Sequence, residues 1–206
     1  MKSSFIVGLF ILLITIACND SDQLIEVGWN QPTNINTTYV TASDLDERSL
    51  QVVKDGVINA QQYLGNYGPL KVFIIGSDVD AANILAKEFC EWTYEGKKQI
   101  DSCFNEDQGN EIRELAENRS QSAFAESDGR RRSSPTQSFV IGNPPFGDPN
   151  DNGGFVVAAH EYTHTYQHAH ISDENDGIPN WLEEGSAQLL ATFLAGDHED
   201  YLNDSV

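Results

Sequence analysis

The chain has 206 residues, of which 32 are acidic and 12 are basic, so its formal net charge is −20. This length fits one domain, and the charge excludes a nucleic-acid-binding protein, because neutralising phosphates requires clustered lysines and arginines. Apolar residues make up 39% of the chain and aromatic residues 10%, which is enough to build a hydrophobic core. Only one segment is long and apolar enough to span a bilayer, so a protein with several membrane spans is excluded as well.

The first 17 residues have the pattern of an export signal. Lys2 is followed by an apolar stretch from Phe5 to Ala17 and then by Cys18, and this order is typical of a secretory signal. The cysteine directly after Ile16 and Ala17 resembles the lipobox of bacterial lipoproteins, in which that cysteine is acylated and becomes the mature N-terminus. The resemblance implies an exported protein, lipid-anchored to a bacterial membrane on its periplasmic side or at the cell surface. A signal peptide cleaved nearby and a retained anchor helix are the alternatives.

Two further cysteines, Cys90 and Cys103, remain once Cys18 is assigned to the anchor. An exported chain allows them to form a disulfide, which would stabilise the fold by about 3 kcal/mol in the chain-entropy description. Two free thiols are the alternative.

The mature chain begins with a polar tether, residues 18–42, with room for a short strand at Gln23–Trp29. A helix is predicted to follow, with Ser43 or Asp44 as its N-cap and Glu47 as the acidic residue of a capping box. Gly65 and the Gly68-Pro69 pair are predicted to end it. Its apolar residues recur at steps of three and four, as a helical stripe requires: Leu50, Val53, Val57, Ala60 and Leu64.

Strands and helices are predicted to alternate through the middle of the chain. Leu70–Gly76 is the clearest strand, because it is short, rich in β-branched residues and bounded by turn residues. A helix is predicted over 80–94 and a second strand at Gln137–Gly142. Between them, residues 95–137 are polar and are predicted to be an insertion that contains a helix over 110–125.

The sequence HEYTH contains the pattern HExxH, formed by His160, Glu161 and His164. Two histidines four residues apart on a helix lie on the same side, so both imidazoles can reach one cation. Zinc suits these neutral nitrogen ligands and keeps a position open for water when three protein groups hold it. Glu161 can then lie beside that water and take its proton. A helix whose histidines only form surface hydrogen bonds is the alternative.

HEYTH followed by WLEEGSA resembles the gluzincin metallopeptidases, including the thermolysin-like and aminopeptidase-like groups. Their third zinc ligand is a glutamate on the next helix, often directly before a glycine. The resemblance therefore implies that Glu184, which precedes Gly185, joins His160 and His164 as the third ligand, and that Glu161 is the general base.

Several neighbouring side chains compete for roles at this site. Glu183 is the alternative third ligand, since adjacent helix positions cannot share a face. Gln188, one turn past Glu184, is either a hydrogen-bond partner of a ligand histidine or a surface amide. His170 would be the third ligand of a metzincin, but Gln167 replaces the glycine of that motif, and Met1 is the only methionine, so no Met-turn can follow. His168 either flanks the site or is a solvated histidine at the helix end.

The sequence also contains several weaker patterns. The run at 130–132 is interpreted as a solvated arginine loop, with a processing or docking site as the alternative. Two groups resemble parts of calcium loops, although turn chemistry explains them as well, so calcium is a weak second cofactor: Asp148, Asn150, Asn152 and Gly153, and Asp173, Asp176 and Gly177. The residues available to stabilise a reaction oxyanion are Tyr162, Tyr166, His198 and Tyr201.

The predicted fold is α+β and zincin-like, with a small mixed sheet backed by the HExxH helix and the following third-ligand helix, in a domain that covers residues 43–206. The predicted function is that of an exported, lipid-anchored zinc metallopeptidase acting on a peptide or protein substrate. A non-catalytic cell-surface lipoprotein that keeps zinc as a structural element is the alternative.

Overall fold

A computed structural model describes residues 32–127, 137–144, 153–170 and 179–196. Within these ranges, four strands and six helices form a mixed α+β fold. The strands are β1 Thr38–Thr41, β2 Leu70–Ile75, β3 Ala123–Ser127 and β4 Gln137–Gly142. The helices are α1 Glu47–Leu64, α2 Val79–Thr93, α3 Lys97–Glu106, α4 Gln108–Glu117, α5 Gly153–His170 and α6 Asn180–Ala195. The predicted signal, Cys18, the strand at Gln23–Trp29 and the arginine run lie outside the described residues.

The four strands form one mixed sheet in the order β1-β2-β4-β3. β1 and β4 both run parallel to β2, whereas β3 runs antiparallel to β4 at one edge of the sheet. β1 comes from within the predicted tether, because Thr38 to Thr41 pair with Lys71 to Ile74. The last residues of the predicted tether are therefore part of the fold, since Thr38 to Thr41 pair in the sheet and Ala42 is buried in the core.

The sheet separates two hydrophobic cores. Side chains of β2 alternate between its faces, so that Phe73 and Ile75 pack with α2, α3 and α4, while Val72 and Ile74 pack with α1, α5 and α6. A strand covered on both faces reads as a continuous apolar run, which explains why Leu70–Ile75 was the clearest strand in the sequence. The molecule thus has three layers, and the HExxH helix and the helix that follows it share one of the outer layers.

The first helix begins later than the sequence suggested. The side chain of Asp46 accepts a hydrogen bond from the backbone N–H of Ser49 and caps α1, so Glu47 occupies the first helical position instead of closing a capping box. Asp44 accepts hydrogen bonds from the backbone N–H groups of Ser77 and Asp78 instead. Asp44 therefore links the residues before α1 to the turn that follows β2.

The predicted insertion is part of the fold. The helix expected over 110–125 ends at Glu117, because the chain turns through Arg119, which has a positive φ of 50°, and then enters β3. In β3, Phe124 packs toward one core while Ala123 and Ala125 pack toward the other, as alternation in a strand requires. The segment also supplies buried core residues from α3 and α4: Cys103, Ile112, Leu115 and Ala116.

A disulfide joins Cys90 of α2 to Cys103 of α3. The two Cα atoms are 5.8 Å apart and both residues are buried in the core on the α2 side of the sheet. The sulfur bridge therefore lies on the opposite side of the sheet from the HExxH helix.

The HExxH helix α5 packs closely against α1. A Cβ atom added at Gly56 of α1 would meet the carbonyl oxygen of Phe155 and lie 2.9 Å from the Cβ of Ala158. The hydroxyl of Tyr162, whose ring is fully buried, donates to the carbonyl of Gly65 and accepts from the N–H of Tyr67. These contacts hold one side of α5 against α1 and the residues that follow α1. The other side of α5 faces α6 and β3.

The outer face of α6 exposes apolar side chains, among them Leu182, Leu189 and Phe193. None of the helices within the described ranges combines the length and the apolar character that crossing a bilayer requires.

Candidate metal centre

The two histidines of the HExxH pattern lie side by side on α5. Their Nε2 atoms are 3.0 Å apart, and their rings meet edge to face with centroids 4.8 Å apart. His164 is buried and His160 is half-buried. Burial lowers the pKa of His160, the nearby His164 lowers that pKa further, and the Glu184 carboxylate opposes both effects. The imidazole of His160 therefore favours the neutral form that binds metals.

Glu184 of α6 completes the group. Its Oε2 lies 3.3 Å from Nε2 of His160 and 3.6 Å from Nε2 of His164. Ligands held at 2.0–2.1 Å around a tetrahedral zinc ion are about 3.3 Å from one another, and the three distances here are 3.0, 3.3 and 3.6 Å. The three residues therefore form a cluster that could hold a metal ion.

The competing carboxylate points elsewhere. Glu183 directs its Oε1 toward Nε2 of His168, at 4.0 Å, and does not join the cluster. One residue along an α-helix is a rotation of about 100°, so only one of two adjacent side chains can face a given point. In this structure Glu184 is the one that faces His160 and His164.

Glu161 lies at the floor of a cleft beside the cluster. The cleft has a volume of about 340 Å³, and residues 123–125 of β3 form its other wall. Glu161 is 6% exposed, and its Oε2 has no hydrogen-bond partner among the described residues. Burial raises the pKa of the Glu161 carboxyl to about 8, and the Glu184 charge contributes. Glu161 thus lines the cleft beside three candidate ligand atoms, with one buried oxygen that has no partner among the described residues, and this is a position suited to a general base.

Two glutamines contact the ligand histidines. Gln188, the residue suggested by the sequence, lies close enough to His160 to raise its pKa, and its Nε2 donates to Oγ1 of Thr192 at 3.4 Å. Gln167 was missed as a site residue and considered only as a substitute for a glycine. Its Oε1 lies 2.7 Å from Nδ1 of His164. The spacing of His160, His164 and Gln167, at i, i+4 and i+7, was the available signal for it.

Several other candidates lie away from the cluster. His170 is exposed, and its Nδ1 lies 2.7 Å from the carbonyl oxygen of Tyr166. Tyr166 packs against Tyr67 and His170 and does not line the cleft. Tyr162 is buried with its hydroxyl bonded to the α1 side. His168 does line the cleft. His198, Tyr201 and most of the residues in the two calcium patterns lie outside the described residues.

Comparison of the chain with protein-family models, with curated proteins and with solved structures gives no match. The interpretation of the site therefore rests on its residues and their geometry. The arrangement offers two imidazole nitrogens and one carboxylate oxygen to a cation, with an acidic side chain beside them in an open cleft.

Proposed function

We propose that this protein is a zinc-dependent metallopeptidase of the gluzincin type with a zincin-like fold, exported and lipid-anchored to a bacterial membrane. The observation that carries the proposal is the convergence of His160, His164 and Glu184 beside the buried, unpartnered oxygen of Glu161. A structural site has no use for that fourth residue, because a metal held only for stability needs no base beside it.

The donor set fits zinc. His160, His164 and Glu184 would hold the ion through two nitrogens and one oxygen, a combination that zinc accepts in catalytic sites. The half-exposed Glu184 and the open cleft leave room for a fourth position. When bound, zinc supplies Lewis acidity, which polarises the scissile carbonyl and lowers the pKa of the attacking water.

The protein's own groups would move the proton. Oε2 of Glu161 would take a proton from the attacking water and then give it to the leaving amine. Its burial keeps competing solvent away from that oxygen. Residues 123–125 form the facing wall, so a peptide group that enters the cleft lies beside Glu161.

Export is supported by the disulfide. Disulfides persist in oxidising compartments, and Cys90 is bonded to Cys103. The N-terminal pattern places an acylated Cys18 at the start of the mature chain, so the domain would sit on a membrane without entering it.

The catalytic proposal is tested with four forms of the purified chain: wild type, Glu161→Gln, Glu184→Gln and Glu183→Gln. Metal content is measured by elemental mass spectrometry and peptide hydrolysis with a broad peptide library. We expect wild type to bind one zinc ion and to hydrolyse peptides. Glu161→Gln should keep the zinc and lose about 10²–10⁴-fold in rate, and Glu184→Gln should lose the zinc. Glu183→Gln, the matched control, should keep its zinc.

Two results would overturn this proposal. Wild type that binds zinc but hydrolyses no member of the library would favour the non-catalytic surface lipoprotein. Glu161→Gln with undiminished activity would remove the general base from the mechanism.

Lipid anchoring is tested separately by mass spectrometry of the N-terminal peptide from the full-length chain expressed in a bacterium. We expect an acylated Cys18 and loss of membrane association in Cys18→Ala. An unmodified N-terminus that still contains residues 1–17 would contradict the anchor.

A further inference from the structure

The buried side chain of Gln167 contacts both helices of the candidate metal centre. It is 6% exposed and its amide makes three hydrogen bonds. Its Oε1 lies 2.7 Å from Nδ1 of His164, while its Nε2 donates to the carbonyl oxygen of Glu183 at 2.9 Å and to Oγ of Ser186 at 3.0 Å. Gln167 therefore spans from a ligand histidine on α5 to the backbone of α6.

The carbonyl of Glu183 determines the orientation of this amide. A carbonyl oxygen can only accept, so the nitrogen of Gln167 must face it and the oxygen must face His164. An amide oxygen also only accepts, so Nδ1 of His164 must carry the hydrogen. His164 is then the tautomer whose Nε2 has a free lone pair, and that atom lies 3.6 Å from Oε2 of Glu184.

The same amide also fixes the second ligand helix. The carbonyl that accepts from Gln167 belongs to the peptide group between Glu183 and Glu184. Holding this peptide group sets the rotation of the first turn of α6 about the helix axis and its position along that axis. That rotation decides whether Glu184 or Glu183 faces the imidazoles, since the two side chains are about 100° apart.

We propose that Gln167 is the positioning residue of the metal centre, acting on two ligands at once: it selects the metal-binding tautomer of His164 and holds the peptide group that presents Glu184. The inference rests on the proposed metal site but extends it, because it couples cation binding to the docking of α6 on α5. Partners of this kind, one step away from the metal, change metal affinity by about 10–100-fold when they are removed.

The test compares wild type, Gln167→Met and Gln108→Met. Methionine has a similar length and volume but removes the amide. Gln108 is a partly buried glutamine on α4, which packs on the other face of the sheet from the cluster, and it bonds to Glu126. Zinc affinity is measured by competition with a chromophoric chelator. We expect Gln167→Met to bind zinc about 10–100-fold more weakly, and Gln108→Met to stay within about twofold of wild type because it leaves the cluster untouched.

The wild-type part of a second measurement does not depend on how well the variant folds. The ¹⁵N chemical shifts of the His164 ring in metal-free wild type report which nitrogen carries the hydrogen. We expect hydrogen on Nδ1 in wild type, and a loss of that preference in Gln167→Met.

The outcomes separate this inference from the proposed function. Wild type that binds no divalent cation overturns both. Wild type that binds zinc tightly, together with a folded Gln167→Met of equal affinity, overturns the inference alone. Hydrogen on Nε2 of His164 in metal-free wild type also overturns it.

Discussion

Side chains that are adjacent in sequence have different surroundings at this site, because one residue along an α-helix is a rotation of about 100°. Glu183 and Glu184 are chemically identical neighbours, yet only Glu184 lies near the imidazoles. Tyr162 shows the same effect on α5, since it directly follows Glu161 but points to the opposite side of that helix. A residue's type therefore indicates what it could do, whereas its position on the helix decides whether it can.

The buried hydroxyl of Tyr162 should contribute strongly to stability. Tyr162→Phe removes the partner of two backbone groups, the N–H of Tyr67 and the carbonyl of Gly65. We expect the free energy of unfolding to fall by about 1–3 kcal/mol, because groups left unpaired in the interior lose their hydrogen bonds without regaining water. Urea denaturation measures this loss.

Tyr63 provides the matched control, since its side chain is 62% exposed and its ring contact with Phe193 needs no hydroxyl. Tyr63→Phe should change stability by less than about 0.5 kcal/mol. Equal losses in the two variants would contradict the role given to the Tyr162 hydroxyl.

The residues of the candidate cluster could be predicted from the sequence, but only one of the two glutamines that contact it could, Gln188. Helical periodicity alone places His160 and His164 on one face, and the family resemblance supplied Glu184. The role of Gln167 depends on a carbonyl of another helix, and no spacing within one helix reveals how two helices dock. The zinc itself stays a prediction.

The ends of elements are decided by local hydrogen bonds. α1 has three acidic residues near its start, and the one whose side chain meets an N–H of the first turn, Asp46, becomes the cap. Asp46→Ala should lower the free energy of unfolding by about 1 kcal/mol, whereas Glu47→Gln, the adjacent control, should have little effect. Thermal unfolding measures both, and equal losses would contradict the assignment of the cap.

The same cap should give a pH-dependent contribution. Hydrogen bonds from Ser49 lower the pKa of Asp46, so its charged form is favoured in the folded state. This contribution is present above the unfolded pKa of about 3.9 and is lost as the pH falls through the lower folded pKa. Asp46→Asn keeps an acceptor without a titrating group. The advantage of wild type over this variant in urea denaturation should therefore shrink as the pH is lowered from 5 to 2, and a constant difference would contradict it.

Replacing glycine with alanine should have opposite effects on stability at two positions, because the packing around them differs. Gly56→Ala should destabilise the protein and displace α5, because the added Cβ would meet the Phe155 carbonyl. Gly185 lies within α6 with open space around it, so Gly185→Ala should stabilise by up to about 1 kcal/mol through helix propensity. Urea denaturation compares them, and a stabilised Gly56→Ala would show that the two helices have room to separate.

Element types were easier to predict than element ends. Leu70–Ile75 and α5 were clear from composition and spacing, whereas the helix predicted over 110–125 turned out to end at Glu117. The sequence after Glu117 is polar and does not predict β3, an edge strand of five residues. Ala123 and Ala125 have low strand propensity, and their placement follows from pairing with Phe139 and Ile141 of β4. Pairing of this kind is a tertiary property.

At the scale of the whole molecule, the sheet separates the disulfide from the candidate metal centre. Removing the disulfide in a Cys90→Ala/Cys103→Ala variant should cost about 3 kcal/mol. Withholding zinc from wild type should cost about 2.7 kcal/mol relative to zinc at 100 times its dissociation constant. Because the two sites lie in different layers and share no partner, their effects should add within about 0.5 kcal/mol.

Urea denaturation of the four combinations, with and without the disulfide and with and without zinc, measures this additivity. Glu184→Gln serves as the control, since zinc should not stabilise it. A coupling above about 1 kcal/mol would mean that the two outer layers communicate through the sheet.

The three-layer arrangement has a practical consequence for handling the protein. The helices that carry the disulfide lie on the other face of the sheet from the cleft, and Ile84 on α2 is 68% exposed there. A bead, fluorophore or solid support attached at this position would leave the cleft open to solutes. A single immobilised sample could then be moved repeatedly between metal-free and zinc-containing buffers.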